Sequence, residues 1–254
     1  MKIKTIALNT FREAVRNKIF YLLIFFALFF IFSAKIIALL TVGDTDKIVV
    51  DIGLAAINFF SVLISIFTGI NLVYKEIDKK TIFNILSKPV KRSEFLLGKF
   101  FGLALTTMLS LFLMASIFIG FLLVTSIEIS WIFIIYFVYL FMELLIIISI
   151  SILFSSFSTP ILSFVFTTSI YLVGHVVWTL NQLKDRIIGG FAKTVFYLTY
   201  YAFPNLEKFN LKSSIMLGET PPVHQIFYTI LYGIFFTIAI MSVSIFIFSK
   251  RDFK

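Results

Sequence analysis

The sequence contains no cysteine, two histidines, five prolines and only 14% charged residues. The missing cysteine excludes disulfides, thiolate metal centres and cysteine nucleophiles. The histidines, His175 and His224, stand in no His-x-x-x-His or carboxylate-x-x-His spacing, so no metal site is expected. A G-x-x-x-x-G-K-[ST] phosphate loop is also missing: Gly98-Lys99 is followed by Phe100, and Ser93 stands where the first glycine belongs. ATP hydrolysis by that chemistry is therefore not expected of this chain, and no other enzyme constellation stands out.

What remains is apolar. Of 254 residues, 60% are hydrophobic and the mean hydropathy is +1.04, against about 45–50% apolar residues in an ordinary soluble domain. Six runs, 19–40, 52–74, 100–124, 131–154, 161–180 and 225–248, reach or approach the roughly 20 residues that a helix needs to cross a bilayer. Lys35 and Glu143 are the only charged residues inside them. The apolar and polar residues do not alternate as they do in barrel strands, so helices are predicted. The 34 phenylalanines are spread over every run and mark no motif. The first run is too long for a signal-peptide core of about 7–15 residues and is read as a span.

Orientation follows from basic residues in short flanks. Lys2, Lys4, Arg12, Arg16 and Lys18 precede the first span; Lys75, Lys79, Lys80, Lys88, Lys91, Arg92 and Lys99 follow the second; Lys250, Arg251 and Lys254 end the chain. The first connection instead holds Asp44, Asp46 and Asp51 against Lys47, and the third holds Glu128. Both termini are therefore expected in the cytoplasm. The outer loop 181–224 carries Lys184, Arg186, Lys193, Lys208 and Lys212, but long loops obey the rule weakly. The +9 charge thus serves topology rather than nucleic-acid binding. The chain reads as one all-α membrane domain, 1–254, in a cell membrane.

Between the spans, residues 1–18 place Ile3, Ile6, Ala7, Phe11, Ala14 and Val15 on one helical face and Lys4, Asn9, Arg12, Glu13 and Arg16 on the other. This is the pattern of an interfacial elbow helix, read either as an anchor or as a contact for a cytoplasmic partner. In the connection 75–99, Ile82, Phe83, Ile85 and Leu86 form an apolar arc that Pro89 ends, and Ser93 offers an N-cap for the next helix. A short amphipathic helix followed by a rigid turn suits docking to a soluble protein; a basic tether is the other reading. The outer loop holds an amphipathic stretch, 183–201, and apolar residues expected to cap the bundle mouth, as a release gate or as a plain lid.

Glu143 falls near mid-span, where insertion costs an acid about 2.5–3.5 kcal/mol. It is read as part of a polar path or as a protonated packing residue. The sequence places no acid, cysteine or histidine beside it, and Ser65, Thr107, Ser110, Thr168 and Ser169 are the expected partners at its depth. Lys35 is expected to snorkel to the surface or toward Asp44 and Asp46. Asn58 and His175, near span ends, are expected to join helices by hydrogen bonds, with Asn58 a second candidate for the path.

Three groups of residues together carry a resemblance. Asn9-Thr-Phe-Arg-Glu-Ala-Val-Arg-Asn-Lys18 runs straight into the first span; Glu76, Thr81, Leu86, Ser87, Pro89 and Arg92 precede Phe95 and Gly98-Lys99; Pro204-Asn-Leu-Glu-Lys-Phe209 lies in the outer loop. In this order and placement the chain resembles ABC-2 type permeases, close to the permease of the nitrous oxide reductase maturation branch. The resemblance implies the membrane half of an exporter, working with cytoplasmic ABC ATPase subunits that bind ATP and magnesium, and with a second permease copy or homologue. It assigns ATPase coupling to Glu76, Thr81, Leu86, Pro89, Arg92, Gly98, Lys99, Arg12 and Arg16. The alternative is an ATPase-coupled anchor or assembly factor that passes no solute.

Overall fold

The computed structural model describes residues 2–40, 44–78, 91–182, 194, 200 and 202–250. Its elements are α1 (Lys2–Val15), α2 (Lys18–Leu39), α3 (Thr45–Asp78), α4 (Arg92–Val124), α5 (Ile132–Ser155), α6 (Pro160–Gln182), a 3-10 turn (Leu206–Phe209), α7 (Lys212–Leu217) and α8 (Val223–Lys250). Among the described residues six helices, α2 to α6 and α8, are long and apolar enough to span a bilayer. An even number of crossings returns both ends of the chain to one side. This face is the termini end; the opposite face, with the connections around 44 and 126–130 and the segment 202–222, is the loop end.

Local signals explain the element boundaries. Asn17 separates α1 from α2, its Oδ1 accepting the Ile19 N–H at 3.0 Å. The helix after the coupling connection begins at Arg92, earlier than a Ser93 cap allows: Glu94 reaches back to accept the Lys91 N–H at 2.8 Å. Pro160 opens α6, where its missing N–H costs nothing, and Gly218, at φ 70°, ends α7 in the left-handed region. The second span starts at Thr45 rather than Ile52, so that Asp46 and Asp51 extend it beyond the apolar run. Asp46, in the first turn, complements the helix dipole. Inside the spans, hydroxyls rejoin their own helix: Ser65 donates to the Ser61 carbonyl, Thr107 to Ala104 and Ser110 to Thr107.

The bundle is layered around α3 and α5. In each, 61% of the most apolar window is buried, against 22% in α6 and in α8. Leu54, Ile57 and Ile64 of α3 and Leu140, Leu144 and Ile147 of α5 belong to the same apolar core. The outer helices turn large side chains outward, among them Phe25, Phe29 and Phe32 on α2 and Phe112 on α4. That is the distribution expected where lipid is the solvent.

α1 lies against α4. Ala7, Thr10 and Ala14 are buried while Lys4, Arg12, Glu13 and Arg16 stay exposed. Gly98 and Gly102 make the approach possible: a Cβ on Gly98 would stand 2.6 Å from Ile6 Cβ, and one on Gly102 would stand 2.5 Å from the Ala7 carbonyl oxygen. Small residues four apart are a standard way to let two helix backbones close on each other.

Of the residues expected to couple to an ATPase, Glu76 lies in the last turn of α3. Thr81, Leu86 and Pro89, and with them the expected coupling helix, lie outside the described residues, as does most of the amphipathic stretch 183–201.

Candidate functional site: a buried carboxylate, imidazole and carboxylate in series

Glu143 does have a histidine beside it. The expectation that serines and threonines of other spans would satisfy it is corrected by the packing of α6 on α5, which brings His175 Nε2 to 3.1 Å from Glu143 Oε1. The other ring nitrogen, Nδ1, lies 2.8 Å from Oε2 of Glu207, in the 3-10 turn. Glu207 is held in turn by the side-chain amide of Asn210 at 2.7 Å. Three titratable groups from α5, α6 and the outer loop thus stand in one line. The Glu143 side chain is 2% exposed and that of Glu207 32%, so the line runs from the interior of the bundle toward solvent.

Local spacing carried no sign of this contact because the partners are 32 residues apart on antiparallel helices. Glu143 is eleven residues, about 16 Å, along α5 from Ile132. His175 descends to meet it from the upper part of α6. Glu207 reaches His175 because residues 204–209 dip into the bundle instead of lying across its mouth: Asn205, Leu206 and Phe209 are buried. Gly174 admits them, since a Cβ there would stand 2.7 Å from Leu206 Cγ and 2.8 Å from the Pro204 carbonyl oxygen. On the far side the segment leans on α8, where the Asn205 N–H donates to the Tyr232 hydroxyl at 2.8 Å and the Lys208 ammonium sits 4.3 Å from the Tyr232 ring centroid. Non-helical backbone at such depth is tolerated where protein surrounds it. The segment is a plug.

The fit of the plug is imperfect at one point. Both polar atoms of the Asn205 side chain are buried and make no hydrogen bond, a cost of about 1–3 kcal/mol for each unsatisfied group. Beside the plug, a cleft of about 700 Å3 opens at the loop end, lined by Glu207, Lys208, Trp178, Glu219, His224 and Tyr228 among others.

Around this line, Asn58 of α3 accepts a hydrogen bond from the Tyr171 hydroxyl at 3.2 Å, and the Tyr171 ring packs edge-on against His175 at 4.8 Å between centroids. Tyr136 donates to the Leu54 carbonyl at 3.1 Å. Asn58 and Glu143, both named for the polar path, therefore belong to one polar layer that joins α3, α5 and α6. Lys212, on α7, is pushed down from its usual range by burial and drawn back up by the charges of Asp51, Glu143 and Glu207. Lys35 is exposed on α2, as the first of its two readings expects, while Asp44 pairs with Lys47 at 3.4 Å.

Of the described coupling candidates, Arg92, Gly98, Lys99, Arg12 and Arg16 gather at the termini end. Arg92 donates from Nη1 to the Ser249 carbonyl at 2.8 Å and the Phe248 carbonyl at 3.3 Å, joining the start of α4 to the end of α8. Lys99 is 1% exposed, with Nζ 4.0 Å from Glu13 Oε2 and 5.8 Å from the Phe95 ring centroid. Gly98 is covered by α1. Arg12 and Arg16 remain exposed on α1.

No curated protein matches the sequence. The family described as ABC-2 family transporter protein matches residues 4–253, which takes in every span, the connection after the second span and the plug. Together with six membrane-length helices and a polar layer between three of them, that match shows that the chain belongs to the ABC-2 transporter membrane family.

Proposed function

We propose that this permease subunit is the membrane half of an ATP-binding cassette exporter, driven by ATP that separate cytoplasmic ATPase subunits hydrolyse with magnesium. The observation that carries the reading is a family match along residues 4–253 on a chain whose sequence has no phosphate-binding loop. Two permeases, identical or homologous, with two ATPases make the working unit. Basic flanks put the termini end in the cytoplasm of a cell membrane. The motif order also supports a place near the nitrous oxide reductase maturation branch.

Coupling passes through the termini end by two routes. The 75–99 connection carries Glu76, Thr81, Leu86 and Pro89 to the ATPase. Movement of its far end then reaches α8 through Arg92, which caps the last carbonyls of that helix. Gly98 and Lys99 act through α1, because that helix covers them, while Arg12 and Arg16 present charge outward. Co-expression with the neighbouring genes, purification in mild detergent and ATPase assay in vesicles test the proposal. An ATPase that co-purifies and is stimulated by the permease is expected; a chain that always runs alone overturns it.

A further inference from the structure

We infer that Glu143, His175 and Glu207 form a proton-binding latch that holds the 204–209 plug in the loop end of the bundle. The ligand is the proton itself, exchanged with water through the cleft beside Glu207. The latch is built from this chain alone and needs no ATPase.

Each of the two contacts, 3.1 Å to Glu143 and 2.8 Å to Glu207, is a hydrogen bond only if a proton lies between its heavy atoms. Two protons must therefore be shared among three groups: an imidazolium between two carboxylates, or a neutral imidazole with one carboxylic acid. Either arrangement carries one net negative charge. Removal of one proton to water leaves a neutral ring whose single N–H serves one contact, and a ring lone pair then faces a carboxylate oxygen across the other. That contact becomes repulsive.

The structure decides which contact yields. Glu143 is 2% exposed and fixed on α5, whereas Glu207 is 32% exposed and opens on the cleft. Glu207 leaves, and the plug with it. The unsatisfied Asn205 amide favours the same movement. The surroundings that set the threshold are Tyr136 beside Glu143 on α5, Tyr171 on α6, Asp51 on α3, Lys208 in the 3-10 turn, Lys212 on α7 and Tyr232 on α8. Asp51 adds negative charge, while Lys212 and Lys208 offset it.

Because the chain has no native cysteine, one introduced thiol reports without background. Leu206→Cys places it in the plug, where Leu206 is 0% exposed, and Leu217→Cys supplies a reference on α7, where Leu217 is 71% exposed. The full chain is reconstituted in nanodiscs and labelled with a methanethiosulfonate, which reacts with thiols and not with lysine amines, at about pH 6 and about pH 9. Dividing the Leu206→Cys rate by the Leu217→Cys rate at each pH removes the ordinary effect of thiolate ionisation. The ratio is expected to rise about 10-fold with pH, the scale of one lost charge-assisted hydrogen bond.

Glu207→Gln and Glu207→Ala, each combined with Leu206→Cys, separate a latch from mere packing. In Glu207→Gln the new amide N–H donates to His175 Nδ1 while Nε2–H donates to ionised Glu143, so both contacts survive with one titratable proton fewer. The labelling ratio of Glu207→Gln therefore stays low at both pH values; that of Glu207→Ala is high at both. An unchanged ratio in the parent between the two pH values overturns the inference, and so does a Glu207→Gln variant whose ratio rises as much as that of the parent.

Discussion

Each end of the bundle buries an ionisable side chain beside a partner of complementary chemistry, and the two arrangements differ in what holds them. At the termini end, Lys99 lies under α1 with Glu13 at 4.0 Å, and Glu13 is 42% exposed. The helices there are joined chiefly by shape: Gly98 and Gly102 let the backbone of α4 meet Ile6, Ala7 and Thr10 directly. At the loop end, Gly174 plays the same steric part for the plug, but a line of titratable groups is added to it. A joint made by shape persists at any pH, while one made by shared protons can open.

Filling the close helix contact should have the largest effect. Gly102→Val puts a branched side chain against the Ala7 carbonyl and Thr10; backbone cannot yield as a side chain can, and overpacking of about 3 kcal/mol or more corresponds to a melting temperature lower by roughly 6–12 °C. Protease sensitivity of α1 should rise with it. A variant as stable as the parent would show that α1 is not seated by shape.

Glu143→Ala comes next. It leaves His175 Nε2 without its partner and opens a small cavity, a loss of about 2–3 kcal/mol measurable by thermal unfolding in detergent. Glu143→Gln, which keeps an acceptor at that place, should retain most of the stability, and its ATPase coupling and substrate resistance report whether the carboxylate itself acts in transport. If Ala and Gln are equally harmful, the ionised group matters more than the hydrogen bond.

Arg92→Glu sets a carboxylate against the Phe248 and Ser249 carbonyls at the negative end of α8. The expected cost is about 1 kcal/mol at a partly exposed helix end. Stimulated ATPase activity should fall more than stability does, and preserved coupling would remove α8 from the route. Glu13→Gln should do least, under about 1 kcal/mol, because its partner is 4.0 Å away and the carboxylate is half in water. A larger loss would mean that charge, not shape, seats the elbow helix.

Much of this was legible in the amino-acid order. Apolar runs interrupted only by Lys35 and Glu143 specify six helices, because a spanning segment must satisfy its own backbone, and the structure has those six. Amphipathic spacing in the first residues specifies α1. The helix limits shifted at Thr45 and Arg92 because a helix continues past the hydrocarbon wherever capping and dipole favour it. Glu143 was visible as an anomaly, but its partner was not, since nothing in local spacing tells which span lies beside which.

By itself, then, the sequence determined the solvent of this protein, the number of membrane-length helices among the described residues, and a chain without a phosphate-binding loop. Hydropathy and charge are properties of short segments, and a bilayer reads them segment by segment. Only the tertiary structure decided that Lys99 faces α1, that Arg92 caps α8, and that Glu143 and Glu207 share one imidazole. Such contacts join residues distant in sequence; at the seat of α1 and at the plug, Gly98, Gly102 and Gly174 let the backbones approach closely enough to make them.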